Sequence, residues 1–382
     1  MPLSANTRSQ WFKRLTKTYR AVSFWIFVRP TQVFFLIRHK ELYKRPSYYP
    51  ELGAKRKSPR RIFCEQLGQI WKYGRVNQFY FLYGFDVKSR AQMKEYVHNT
   101  PFIQRRGDLN LGSLYVNSSI LLRDKFYFSI FADGIGIKTA RIRYYTTEGI
   151  LYDYGTKKPV GISALTALPN QRLFCKPLDG ECGRGIFVLR IEDGQFFIED
   201  RHTDSNTLLG YLNQGRYLVQ EFITQHSEMS RLHPQSVNCI RLVTVRSLKD
   251  KEIHVMPSIL RIGAGGSVVD NTSQGGVAVG IDLKTGYLKE YGFFKPQFGL
   301  KAVEHPDSHI RFADFQIPHF DEVKRQACYF HSMLPDIHSI GWDIAVGEDG
   351  PIFVEGNDNW EPNGPQSCNG GIASLVKEYF YL

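Results

Sequence analysis

Two carboxylates and one amide near the C-terminus have the residue types and spacing to hold a divalent cation. They are Asp343, Glu355 and Asn357, within residues 341–360, GWDIAVGEDGPIFVEGNDNW. Carboxylate and amide oxygens are hard ligands that suit Mg²⁺, and this ion usually shares its remaining sites with water and nucleotide phosphates. These residues therefore predict a magnesium site beside a bound nucleotide.

A β-hairpin is the element that must bring these three side chains together. Apolar residues alternate on both sides of residues 347–351, GEDGP, which predicts two strands joined by a five-residue loop. In that register Asp343 lies opposite Glu355, and Asn357 projects from the same side. Two carboxylates this close raise each other's pKa unless a cation lies between them. An exposed acidic hairpin end is the alternative, but an amide in step with both carboxylates favours the metal.

A second informative stretch is residues 173–190, LFCKPLDGECGRGIFVLR. It predicts a strand carrying Lys176, a loop with Gly180, Gly183 and Gly185, and a second strand. Such a hairpin can close over nucleotide phosphates with its backbone N–H groups, while the lysine neutralises phosphate charge. It is not a P-loop, because a strand follows where that motif requires Gly-Lys-Ser/Thr and a helix. A glycine-containing hairpin without a ligand is the alternative.

Other positions extend the predicted nucleotide site. Lys125 follows Asp124, which is expected to cap a helix that ends at Gly134. Residues 217–223, YLVQEFI, predict a strand whose backbone could hydrogen-bond adenine. The relevant residues there are Gln220, Glu221, Phe222 and Ile223. Glu228 could bind ribose hydroxyls, with a solvated loop residue as the alternative.

Arg241 lies within an otherwise apolar stretch, residues 237–245, VNCIRLVTV, which predicts a strand that also holds Asn238. An Arg inside such a strand needs an anionic partner. A bound phosphate or acyl phosphate would supply one, and so would an internal Asp or Glu. The polar turn at residues 270–276, DNTSQGG, could line an acceptor pocket or simply connect two strands.

The basic charge of the chain is concentrated at its N-terminus. The net charge of the 382 residues is +12, yet residues 1–61 hold 15 Lys or Arg against two Glu, so the remainder is nearly neutral. Bulky apolar residues are interleaved with these cations, a mixture that suits the headgroup region of an anionic membrane. A basic helical segment packed on the body is the alternative, and we expect no nucleic-acid partner. Residues 55–61, KRKSPRR, are predicted to be a linker.

The cysteines and the apolar runs indicate the compartment. Six cysteines are scattered without a C-x-x-C pair, which argues against a zinc site or a disulfide framework and favours a reducing cytoplasm. No apolar run reaches the roughly 18 residues that cross a bilayer, and no signal-peptide cleavage site follows the N-terminal apolar residues. The prediction is a cytoplasmic protein, with peripheral attachment to the cytoplasmic membrane face left open.

With these stretches in this order, the chain resembles the ATP-grasp superfamily, and most of all its sugar-transfer-associated family. The likeness covers roughly residues 115–375 and is strongest in QEFITQHSEMSRLHPQSVNCIRLVTV, DNTSQGG and GWDIAVGEDGPIFVEGNDNWE. It implies an α+β fold in which two α+β lobes clamp ATP, preceded by a helical basic segment. The implied divisions are residues 1–61, 62–115, 116–225 and 226–382.

The resemblance also implies roles for individual residues. Lys125 and Lys176 resemble the family's two ATP lysines, residues 180–185 its glycine-rich loop, and residues 220–223 its adenine-binding linker. Arg241 resembles the phosphate-side arginine. Asp343, Glu355 and Asn357 resemble the Mg²⁺ ligands. Two features depart from the pattern: Glu181 and Cys182 replace small residues in the loop, and the region before Lys125 is short and helical.

The predicted function is an ATP- and Mg²⁺-dependent, ADP-forming ligase that joins a carboxylate to an amine through an acyl phosphate. Polysaccharide or cell-surface sugar biosynthesis is the setting that the resemblance implies. A kinase that phosphorylates a hydroxyl group is one alternative. A non-catalytic, membrane-associated nucleotide-binding partner of a polysaccharide assembly is the other.

Overall fold

A computed structural model describes residues 28–111, 117–178, 185–198, 201–267, 270 and 272–382. The chain divides into two compact units. One comprises residues 1–105 and 361–377, and the other comprises residues 106–360 and 378–382. The predicted boundaries at residues 61, 115 and 225 remain predictions. Helices and antiparallel sheets are combined, as the predicted α+β class requires.

The described helices and strands are as follows. The helices are α1 (Arg29–Arg38), α2 (Pro59–Tyr73), α3 (Arg90–Met93), α4 (Asn99–Leu111), α5 (Ser119–Arg123), α6 (Lys125–Gly134), α7 (Ser163–Thr166), α8 (Ser205–Leu212), α9 (Ser227–Leu232), α10 (Phe320–Ser332), α11 (Asn363–Asn369) and α12 (Ala373–Tyr379). The strands are β1 (Ile142–Thr147), β2 (Ile150–Asp153), β3 (Pro159–Val160), β4 (Gln171–Pro177), β5 (Phe187–Glu192), β6 (Gln195–Ile198), β7 (Arg201–Thr203), β8 (Tyr217–Glu221), β9 (Ile240–Arg246), β10 (Ile253–Ile262), β11 (Val277–Ile281), β12 (Leu288–Phe293), β13 (Lys301–Ala302), β14 (Ser339–Gly347) and β15 (Gly350–Asn357).

The segment predicted to be a linker lies inside one compact unit and its last three residues begin α2, so that prediction is wrong. Ser58 caps α2 by accepting a hydrogen bond from the backbone N–H of Arg61, and Pro59 occupies the first helical position. Ser followed by Pro is a common helix-start signal, since proline has no N–H to leave unpaired there. Lys57 is buried, and its ammonium lies 2.8 Å from the Glu65 carboxylate. Lys57, one of the cations of this basic segment, is therefore part of a buried ion pair within the fold.

The first sheet has the order β3-β2-β1-β8-β4-β5-β6-β7, and every paired neighbour is antiparallel. One face packs a core that includes Leu173, Cys175 and Val219 with Leu208 and Leu212 of α8. Because side chains alternate along a strand, Lys176 of β4 projects from the opposite face. This sheet therefore presents a lysine on the side away from its own core.

The second sheet has the order β13-β12-β11-β10-β9-β14-β15, also antiparallel throughout. Leu242 and Trp342 lie in a core that includes Phe330 of α10. Arg241 and Asp343, one residue along in each strand, pair with each other and project from the other face. The apolar face fixes the strand register, and the register aligns the polar residues on the opposite face.

The predicted hairpin is present, but its loop is shorter than expected. Gly347 pairs with Gly350, leaving two residues at the turn instead of five. Ile344 consequently pairs with Phe353, one residue out of the predicted register. A β-bulge where the pairing passes from Ile344 to Asp343 restores the predicted register. Asp343 therefore lies opposite Glu355, as predicted.

Other local predictions have mixed outcomes. Asp124 caps α6 by accepting hydrogen bonds from two backbone N–H groups, and the helix ends at Gly134, as predicted. The strand predicted at residues 217–223 ends at Glu221. Asn238 lies before β9, so its predicted place inside the strand is wrong. Its buried side-chain amide donates to the carbonyls of Met229 and His233, which holds it in a loop.

Gly341→Ala is expected to lower the free energy of unfolding by about 1–3 kcal/mol, because overpacking a buried strand forces its neighbours to move. A β-carbon at Gly341 would lie only 2.7 Å from Cβ of Trp360. Gly210→Ala in α8 is the matched control, since a β-carbon there meets nothing within 4 Å. That control should be neutral or slightly stabilising in urea titrations. Equal stability of the two variants would contradict the predicted steric conflict.

Candidate active site

Asp343 is held by two arginines from neighbouring strands. Its carboxylate oxygens accept from Arg241, at 2.5 Å to Nε and 3.0 Å to Nη2. Nη2 of Arg261 lies 3.3 Å from Oδ2. The Asp343 side chain is 4% exposed, whereas those of Arg241 and Arg261 are 21% and 22% exposed. Arg241 was expected to pair with either a bound phosphate or an internal carboxylate. Asp343 is that internal carboxylate.

The two arginines keep the Asp343 carboxylate ionised. Burial alone would raise its pKa, but the positive charges of Arg241 and Arg261 outweigh burial and hold the pKa well below its ordinary value. A buried carboxylate that stays charged can act as a metal ligand without first losing a proton.

Glu355 has the opposite electrostatic setting. Burial raises the pKa of its carboxyl, and repulsion from Asp343 raises it further, while hydrogen bonding from Asn357 and the charge of Lys176 only partly offset this. Nδ2 of Asn357 lies 3.2 Å from Oε1 of Glu355. The hairpin thus brings together all three predicted metal ligands.

Lys176, in strand β4 of the first sheet, is the cation whose charge acts on Glu355. It is 7% exposed, and burial lowers its pKa to about 8 although the negative charge of Glu355 opposes the shift. The charge of Lys125 also lowers this pKa. Nζ of Lys125 also donates to the carbonyl of Leu178 at 3.3 Å.

The residues of the predicted adenine segment occupy the end of β8 and the connection that follows. Gln220 is buried and donates to the carbonyl of Ala140. Oε1 of Glu221 lies 2.5 Å from Nε of Arg143. Phe222 lies under the guanidinium of Arg172, 4.6 Å from the ring centroid, and Ile223 follows it half-buried. Side chains with these partners leave the backbone as the part of the segment that can recognise a base.

The remaining predicted nucleotide contacts are Glu228 and the glycines of the loop, and two of these glycines lie outside the described residues. Glu228, in the first turn of α9, forms an ion pair with Arg231 at 2.6 Å, and its side chain is 48% exposed. This exposure is what the solvated alternative expects, and the ribose contact of Glu228 stays a prediction. Gly180 and Gly183 lie outside the described residues, as do Glu181 and Cys182. Gly185 has a φ of 74°, and the Tyr217 hydroxyl donates to its carbonyl.

One functional candidate, Arg261, was missed by the sequence interpretation, and its partner Asp270 was placed only in a polar turn. Arg261 of β10 bridges Asp343 and Asp270, and its Nη2 lies 3.2 Å from Oδ2 of Asp270. Burial raises the pKa of Asp270, although Arg261 opposes the shift. A signal was available, since Arg261, like Arg241, interrupts an apolar strand. The turn that begins at Asp270 is therefore tied to the Asp343 site by an ion-pair chain.

The donor set fits a magnesium ion that completes its shell with other oxygens. Within the described ranges, no group of three or more His, Cys, Asp and Glu side chains could hold a metal alone. Two carboxylates and an amide are few ligands, but Mg²⁺ typically takes only one or two carboxylates and keeps water and phosphate oxygens. Burial raises the pKa of Glu355 and repulsion from Asp343 adds to the rise, and a divalent cation between the two carboxylates would offset that repulsion.

Comparison with known families decides the assignment. The sequence profile of the family described as "Sugar-transfer associated ATP-grasp" matches residues 108–378. The chain belongs to this family. This membership confirms the resemblance and the ATP-grasp fold expected from the sequence. It also supports the prediction of an ATP-dependent ligase.

Solved structures similar to this ATP-grasp chain are distant. A D-alanine–D-alanine ligase from Helicobacter pylori has 15% identity over 68% of this chain and 60% of its own, with a TM-score of 0.36. A D-alanine–D-alanine ligase from Bacillus anthracis complexed with ATP has 12% identity over 69% and 67%, with a TM-score of 0.37. An N5-carboxyaminoimidazole ribonucleotide synthetase from Thermotoga maritima has 12% identity over 67% and 48%, with a TM-score of 0.34. This chain thus spans less than two thirds of the first and third of these proteins.

No curated protein matches the sequence of this ATP-grasp chain. The family assignment therefore rests on the profile match over residues 108–378. In the parts of the chain that the structure describes, no helix combines the length and apolarity needed to cross a bilayer.

Proposed function

We propose that the chain is an ATP- and Mg²⁺-dependent, ADP-forming ligase that joins a carboxylate to an amine through an acyl phosphate. One observation carries the proposal: the hairpin of the second sheet pairs Asp343 with Glu355 and holds Asn357 3.2 Å from Glu355, a set of side chains suited to Mg²⁺. Buried Lys176 of the first sheet would supply the cation that binds phosphate beside this metal site. ATP would supply the activating phosphoryl group, and Mg²⁺ would offset the charge of its phosphates.

Each residue has a proposed role. Asp343, Glu355 and Asn357 would hold the metal. Lys125, Lys176 and Arg241 would stabilise charge that develops on the transferred phosphoryl group. The remaining proposed nucleotide contacts are the backbone of Gln220, Glu221, Phe222 and Ile223 for adenine, Glu228 for ribose, and the loop with Gly180, Gly183 and Gly185 for the phosphates. Arg261 would act as a positioning residue by keeping Asp343 ionised.

The proposed reaction needs no covalent bond to the protein. A substrate carboxylate oxygen attacks the γ-phosphorus, the bond to the β,γ-bridging oxygen breaks, and ADP leaves. An amine then attacks the acyl carbon, phosphate leaves with the bonding electrons, and the amine loses a proton as the amide forms. We further propose a sugar acid as the carboxylate, in polysaccharide or cell-surface sugar biosynthesis, and the family description supports this setting.

Hydroxylamine provides a direct test of the acyl phosphate. Candidate sugar acids are incubated with the protein, ATP, Mg²⁺ and hydroxylamine, and a ligase is expected to release ADP and form a hydroxamate. With a carboxylate labelled by ¹⁸O, one label should appear in the released phosphate. A stable phosphorylated product formed without an amine would instead identify a kinase. ATP binding without turnover of any acceptor would favour a non-catalytic nucleotide-binding partner.

Lys176 predicts a specific pH dependence of ATP binding. Its charged form would contact phosphate, and its pKa is about 8, so the charged fraction falls as pH rises through that value. We expect the dissociation constant for ATP to rise by up to about ten-fold per pH unit above it. Lys176→Arg should bind with a flat profile, because a guanidinium does not titrate there. A wild-type profile as flat as that of the variant, measured by calorimetry, would contradict the role of Lys176.

We also propose a cytoplasmic location with peripheral attachment to the membrane. All the described cysteines are free thiols, which suits a reducing compartment. The charge of the N-terminal segment supports attachment to an anionic surface.

A further inference from the structure

One side of α1 remains apolar and exposed after the helix has packed onto α2. Leu36 is fully buried in a cluster with Ile70 of α2, whereas Phe34 and Ile37 are 63% and 53% exposed. Trp71, near the end of α2, is 67% exposed. These three exposed side chains line an open depression of about 620 Å³ and are called the α1–α2 face below. A contiguous exposed patch of large apolar side chains marks an interaction site.

Cations accompany this face. The Arg29 guanidinium donates two hydrogen bonds to the Trp71 carbonyl, at 2.9 and 3.2 Å, which fixes α1 against the end of α2. Residues 28–75 contain 12 Lys or Arg and only three Glu. Two of these Glu are already engaged, Glu41 with His39 and Glu65 with Lys57. The segment that carries the face is therefore strongly basic, which favours an anionic partner.

We propose that the α1–α2 face docks onto the surface of an anionic lipid bilayer. Phe34, Ile37 and Trp71 would enter the boundary between headgroups and acyl chains, where amphipathic aromatic and aliphatic side chains are stable. Neighbouring arginines and lysines would meet lipid phosphates. This inference rests on the proposed membrane location, identifies the surface responsible for it, and is independent of the ligase reaction.

Co-sedimentation of the full chain with vesicles tests the inference. The vesicles contain phosphatidylcholine alone or mixed with phosphatidylglycerol. Binding is expected only to the mixed vesicles and should weaken as salt is added. The double variant Phe34→Ser/Ile37→Ser and the single variant Trp71→Ser should each lower the partition coefficient by at least about ten-fold. Ile120→Ser is the matched control, because Ile120 in α5 is 54% exposed and lies outside the face.

Several outcomes would overturn the inference. Equal partitioning of all variants, or equal binding to both vesicle types, would do so. A lower melting temperature of the α1–α2 variants with unchanged partitioning would show that another part of the chain covers the face. A dimer that these variants dissociate, again with unchanged partitioning, would assign the face to a second copy. ATP binding is measured on each variant and should be unchanged, so failure of membrane docking leaves the ligase proposal to its own test.

Discussion

Glu355→Ala is expected to weaken ATP binding in the presence of Mg²⁺ by at least about 100-fold, more than the usual loss from removing a group that only supports a metal ligand. The substitution leaves Asp343 as the one carboxylate among the three proposed ligands, and that carboxylate is already held by Arg241 and Arg261. In the absence of Mg²⁺ the change should be small, because removing a negative charge does not weaken phosphate binding by lysines. Calorimetric titration of ATP with and without Mg²⁺ measures both quantities.

The matched control for Glu355 lies on the same hairpin. Asp349→Asn removes one negative charge from the turn, where the side chain is 87% exposed and faces Lys138. This variant should bind Mg²⁺ and ATP like the wild type, since an exposed pair contributes little. If Glu355→Ala bound normally, or lost the same affinity with and without Mg²⁺, the proposed metal role of the hairpin would be wrong.

The hairpin shows which part of a site can be predicted from sequence. Alternation of apolar residues predicted that Asp343 and Glu355 share one face of adjacent strands, and the pairing is confirmed. Alternation did not reveal the loop length, because a two-residue turn and a bulge produce the same pairing at Asp343 as a five-residue loop without a bulge. The local sequence specified which residues meet, while the turn depended on backbone geometry at Gly347 and Gly350.

The ion-pair chain shows what could not be predicted. Arg241 was known to need an anionic partner, but choosing Asp343 over a bound phosphate required the pairing of β9 with β14, which are about 100 residues apart. Arg261 could have been recognised as an Arg within an apolar strand, but its two partners could not, because they come from a different strand and from the turn at Asp270. Contacts across a sheet depend on strand order, and periodicity within a strand carries no information about strand order.

Arg261→Met is expected to lower the free energy of unfolding by about 3 kcal/mol at neutral pH, because the substitution leaves buried carboxylates without their shared cation. Arg261 lies against both Asp270 and Asp343, whose side chains are 13% and 4% exposed. The pKa of Asp343 is lowered in the folded protein, so its ionised form stabilises the fold above the ordinary carboxyl pKa. Part of that stabilisation is lost in the variant.

The expected pH dependence follows from the same groups. The deficit of Arg261→Met should be largest at neutral pH and should shrink as pH falls through the ordinary carboxyl range, where protonation removes the unpaired charges. Urea titrations without Mg²⁺ at several pH values measure it. Adding Asp270→Asn should recover part of the loss, because Asp343 still has Arg241 whereas Asp270 is the carboxylate left without its cation. Arg325→Met, in an exposed pair with Glu322, is the matched control and should unfold like the wild type. If the loss of stability in Arg261→Met did not depend on pH, its cause would be lost side-chain packing. Arg261 would then have no role in keeping Asp343 ionised.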